Sequence, residues 1–126
     1  MTMSRLEQTY ALIDAANADD PTKVTVDGVS RPYAQVYGER MTARMAKLAP
    51  DASDLLKIAA RAQHIRRFDI PRSSYPMDKP GYHAWRNALK ARHGELLAEI
   101  MRKVGWPDAD VERAGQMVRK ERIKRD

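Results

Sequence analysis

The pattern that most constrains this chain lies between residues 82 and 104. Tyr82, Trp85, Leu89, Leu96, Ile100 and Val104 recur at helical spacing. At 100° per residue they fall within about 100° of one another, the width of a core-facing stripe. A helix of that length needs partners along one whole side, so the spacing predicts a helical bundle rather than a sheet. Gly105 supplies a C-terminal stop, and Trp106 is placed to fold back on the last turn. Pro107-Asp108 then opens a further helix through Val111, Ala114 and Val118.

The rest of the chain fits around that helix. Ser4 with Glu7 has the spacing of a capping box, and Leu6, Tyr10, Ile13 and Ala16 follow as a first helical face. Asp19-Asp20-Pro21 ends it. In KVTVDGV, Val24 and Val26 alternate and Asp27-Gly28 is a turn signal, so one short hairpin is expected near residues 22–30. Ser30 with Pro32 is expected to start a second helix, with Tyr33, Tyr37, Met41, Met45 and Leu48 as its stripe. Pro50 closes it. Asp51 or Ser53 caps a third, in which Leu55, Ile58, Ala59, Ala62 and Ile65 share a face, and which Pro71 stops. The connection over residues 68–80 holds three prolines, and a loop of that length in a small domain is more often functional than idle. The expected architecture is all-α: one compact domain, residues 1–126, of about five helices and a hairpin excursion.

Composition narrows the function classes. The 126 residues contain no cysteine, which excludes disulfides, thiolate zinc sites and a cysteine nucleophile, and is compatible with the cytoplasm. No apolar run approaches the roughly 20 residues that span a bilayer, and the N-terminus has no signal-peptide core. The net charge is +6, which favours an acidic partner: nucleotide, phosphate ester or nucleic acid. Half of that excess lies in the last eight residues, RKERIKRD, with five basic and two acidic side chains. Such a tail reads either as a nucleic-acid contact or as a solvated helix end. No glycine-rich phosphate loop, nucleophile elbow or paired-histidine metalloprotease helix is present.

Three regions carry candidate chemistry. His93 falls in the middle of the fourth helix's apolar stripe, as a core histidine bonded to one partner or as a ligand in a buried pocket. His64 and Glu39 point away from the apolar faces of their helices; they face each other across a second seam, or they face water. The segment GYHAWR opens the fourth helix, whose free N–H groups favour an anion. Arg67, Arg72 and Arg86 would add forked donors there, and Tyr82 and Trp85 a stacking surface. The plainer alternative is an aromatic anchor of the core flanked by solvated arginines.

YGERM (37–41), AARAQHIRRFDIPR (59–72), YPMDKPGYHAWR (75–86) and KARHGELLAEIMRKVG (90–105) together resemble domain of unknown function 4202. The resemblance covers nearly the whole chain. Some members of that family are labelled glutamyl-tRNA synthetases, but the ATP-binding motifs of synthetases are missing here. The family looks like a distant, degenerate relative of the HD-domain metal-dependent phosphohydrolases. The resemblance implies a divalent metal (Mn, Fe or Zn) on Glu39, His64 and His93; Arg67, Arg72, Tyr82, Trp85 and Arg86, read from the opening of the fourth helix, would then hold a nucleotide or small phosphate ester. A metal so held would activate water for hydrolysis. Ile65 stands where the paired aspartate belongs, and the closing aspartate is missing, so a further acidic helix beyond Asp126 is expected of the family. The competing classes are a non-catalytic nucleotide- or RNA-binding module and an assembly protein in which a second copy fills an apolar groove.

Overall fold

The Ser4 hydroxyl accepts from the Glu7 N–H at 3.1 Å, and the Glu7 carboxylate accepts from the Ser4 N–H at 3.3 Å, closing the capping box at the head of α1 (Arg5–Asn17). The computed structural model describes residues 3–119. After α1 comes an antiparallel hairpin of β1 (Lys23–Val26) and β2 (Val29–Pro32), with Val26 opposite Val29. Asp27 and Gly28 make its turn at φ of 51° and 80°, the left-handed pair that a tight hairpin requires. Helices α2 (Tyr33–Leu48), α3 (Asp54–Arg61), α4 (Lys79–Val104) and α5 (Asp108–Val118) follow. Ser53, not Asp51, caps α3. Two 3-10 turns, Arg67–Asp69 and Arg72–Ser74, lie between α3 and α4. The architecture is therefore mainly helical, as expected.

Helix α4 is the spine: it packs along α5 and α1, while α3 packs on α2 and α5. Ile13, Ile58, Ala62, Ile65, Leu97, Met101 and Ala114 are fully buried at their junction. A buried Ile, Leu or Met contributes about 1.5–3 kcal/mol, so stability concentrates at this junction. Gly105 ends α4 at φ 101°. Trp106 folds back: its N–H bonds the Met101 carbonyl at 3.1 Å and its indole donates to the Thr9 hydroxyl at 2.9 Å. That bond ties the α4–α5 corner to α1.

Four expectations change. Ser30 lies in β2 and does not cap α2; the buried Asp20 does, accepting from the Ala34 N–H at 2.8 Å and from the Thr22 N–H at 3.0 Å. The hairpin brings this carboxylate to a helix that starts 13 residues later, a reach that local pattern does not reveal. On α2 the buried residues are Ala34, Val36 and Gly38, whereas Leu48 is 75% exposed. A Cβ on Gly38 would stand 3.0 Å from the Arg61 carbonyl, so small residues set the close approach of α2 to α3. Helix α3 ends at Arg61, ten residues before Pro71. Beyond it the chain runs through tighter turns, Gln63 N–H to the Ala60 carbonyl and Ile65 N–H to the Ala62 carbonyl, to Arg66 at a left-handed φ of 48°, whose N–H goes to the Asn17 side chain at 2.9 Å. Ala62 and Ile65 keep the apolar pattern because the turn also faces the core. On α4 the face is rotated: Leu97 and Met101 are fully buried, Leu96, Ile100 and Val104 only partly, and Tyr82 is exposed.

Candidate functional site

The turn at Arg66 separates two neighbouring arginines. Arg66 turns back, donating to the Ala16 carbonyl, to Asp19 and, with its fork, to Asp69. Arg67 turns outward over the Trp85 ring, 5.0 Å from its centroid. Trp85 is buried, and its indole N–H donates to the Ile70 carbonyl at 2.7 Å, pinning the connection against α4. Across from it, Tyr37 of α2 stacks on His64, with centroids 4.3 Å apart and planes 10° apart. His64 in turn lies 6.3 Å from the buried His93 ring of α4.

Two adjoining pockets open on either side of the Tyr37–His64 stack, sharing Tyr37, His64 and Arg67. One, about 230 Å³, is walled by aromatic and apolar groups: Tyr33, Phe68, Ile70, Pro71 and Trp85, with Arg72 and Asp20 at its edge. The other, about 250 Å³, is polar and basic, lined by Gln63, Arg86, Lys90 and His93. The result is one cleft with an aromatic half and a cationic half.

The charges are distributed unevenly. Among the described residues Arg67, Arg86 and Lys90 form no ion pair. The nearby acids are all engaged. Asp20 holds two backbone N–H groups. Asp69 is bound by Arg66 and Arg92; burial pushes its pKa up, but those hydrogen bonds and charges outweigh it, leaving the carboxyl below its ordinary range. Glu39 is gripped by both nitrogens of the Arg31 fork, and that hydrogen bond holds its carboxyl below its ordinary range.

These contacts show which of the expected site residues come together. His64 and His93 do. Glu39 does not join them, being committed to Arg31, and among the described residues no three His, Cys, Asp or Glu side chains are grouped to hold a metal ion. Arg67, Trp85 and Arg86 line the cleft. Arg72 lines it too, but its guanidinium donates to the Tyr75 and Pro76 carbonyls, at 3.3 and 2.9 Å, and so braces the loop. Tyr82 lies outside both pockets, its hydroxyl accepting from Arg86 at 2.9 Å. The N-terminus of α4, expected to attract an anion, already holds one: Asp78 accepts from the Gly81 N–H at 2.8 Å. Of the basic tail only Arg119 lies within the described residues.

Tyr37 and Lys90 line the cleft from outside the expected site set, and Phe68 lines it from the connection before α4. Lys90 had a legible signal, since it follows Arg86 by one helical turn and therefore shares its face. Tyr37 was hidden in an apparent core stripe. No helix among the described residues is long and apolar enough to cross a membrane. A family model described as domain of unknown function (DUF4202) matches residues 7–126, so the chain belongs to that family. No curated protein and no solved structure matches it.

Proposed function

We propose that this member of the domain of unknown function 4202 family binds a small phosphorylated ligand bearing an aromatic ring, most simply a nucleotide. One observation carries this reading: the aromatic and cationic halves of the cleft are contiguous, with Arg67 lining both. Stacking on aromatic faces is worth about 1–3 kcal/mol per base and needs no particular base edge. Arginine forks suit phosphate oxygens, and here they need not first break an ion pair with a described acid. The two pockets together fall within the roughly 300–1,000 Å³ typical of small-molecule sites.

Isothermal titration of the whole chain with ADP, beside Arg67→Ala, tests the reading. Loss of the guanidinium is expected to weaken binding by about tenfold or more, the worth of one charged hydrogen bond. Circular dichroism would establish that the variant is folded. A wild-type chain silent to millimolar nucleotide, or a folded variant that binds equally well, would sink it.

A hydrolytic, HD-like reading has one observation of its own, the approach of His64 and His93 to 6.3 Å. Two imidazoles are one ligand short of the usual three-ligand catalytic site. Glu39 would have to leave Arg31 to complete it. Metal analysis of protein incubated with manganese, iron or zinc, beside a His64→Ala/His93→Ala variant, tests it: near-stoichiometric metal lost in the folded variant supports the reading, and none in either refutes it.

A further inference from the structure

Resting on the nucleotide-binding reading above, we infer that the ligand carries at least two phosphate groups and enters free of divalent metal. The cationic half is lined by Arg67, Arg86 and Lys90 beside Tyr37, Gln63 and the two histidines, with no carboxylate among the described residues. Magnesium on a phosphate chain is ordinarily shared with one or two protein carboxylates. The acids nearest the cleft are not placed to do this. Asp20 faces the aromatic half with each oxygen accepting a backbone N–H, Asp69 is clamped by two arginines, and Glu39 by one. The charge of the phosphates is therefore met by side-chain cations directly.

The number of those cations sets the charge the ligand brings. Arg86 and Lys90 stand one helical turn apart on the same face of α4. Arg67 reaches the same space from the connecting segment. A diphosphate spans these three positive groups with its negative charges distributed among them; a monophosphate leaves at least one cation unused. Magnesium bound to the diphosphate would neutralise that charge and occupy the same oxygens, so it competes with the protein.

The test is calorimetric titration of the full chain with AMP and with ADP in EDTA, then with ADP in saturating magnesium. ADP is expected to bind tighter than AMP by about tenfold or more, the value of one added charged hydrogen bond. Magnesium is expected to weaken ADP binding, and Lys90→Ala to narrow the gap between ADP and AMP. Equal affinity for AMP and ADP, or tighter ADP binding with magnesium, would overturn this inference while leaving nucleotide binding intact. Silence towards AMP and ADP in EDTA, and towards ADP in magnesium, would overturn the underlying reading as well.

Discussion

Gly81→Ala separates what helix propensity alone expects from what the packing requires. At an exposed interior helix position this change gains about 1 kcal/mol, because alanine loses less backbone entropy than glycine. Here the added Cβ would stand 2.1 Å from the Pro76 carbonyl oxygen, 2.8 Å from its carbon and 2.9 Å from the Asp78 carboxylate. Two of those atoms are backbone, so the chain before α4 has to move. The Asp78 oxygen that is crowded is the one that caps the Gly81 N–H at 2.8 Å, and losing a cap costs about 1 kcal/mol. Cap loss thus cancels the propensity gain, and the overpacking of about 1–3 kcal/mol remains as the net destabilisation. The Pro76 carbonyl also accepts from Arg72, so the same shift pulls on the aromatic wall of the cleft. Urea unfolding at neutral pH measures the difference, with Asp78→Ala isolating the cap. A Gly81→Ala chain as stable as the wild type, or more stable, would refute the close approach of Pro76 to α4.

Asp20→Ala is expected to cost about 2 kcal/mol, because it strips two backbone N–H groups of a buried acceptor, while Ser30→Ala stays within about 0.5 kcal/mol; chemical denaturation of the two variants checks the contrast. Asp69 gives an acid-sensitive contribution. Its native pKa lies below the unfolded value of about 3.9, so the native state binds fewer protons and stability is lost as pH falls from there through the native pKa. Asp69→Asn is therefore expected to be less stable than the wild type at pH 7, and the gap to close below about pH 4. A gap that widened in acid would contradict the paired carboxylate.

What could be read from the sequence was whatever depends on neighbours in the chain. The Ser4–Glu7 box, the Asp27-Gly28 turn and the Gly105-Trp106 reversal each need only a few adjacent residues, and all three form as their spacing predicts. Period alone puts His93 in the apolar stripe of its helix, and it is buried. Contacts that local pattern does not reveal involve distant partners. Asp20 caps a helix across a hairpin, Asn17 of α1 takes the Arg66 N–H beyond α3, and Arg31 holds Glu39. Helical projection put His64 on α3, but it belongs to the turn beyond that helix, where Tyr37 fixes it. Arg66 and Arg67 are indistinguishable by composition; a single left-handed residue gives one to the scaffold and the other to the cleft.

The chain's two tryptophans provide a direct test of where a ligand binds. Trp85 lies in the cleft, and Trp106 bonds Thr9 at the α4–α5 corner, away from both halves. In an amide NMR titration of labelled protein with ADP, the Trp85 indole resonance is expected to move progressively to saturation while that of Trp106 stays in place. Movement of Trp106 with Trp85 unchanged, or no movement of either at millimolar ADP, would contradict a nucleotide-binding cleft between α2 and α4.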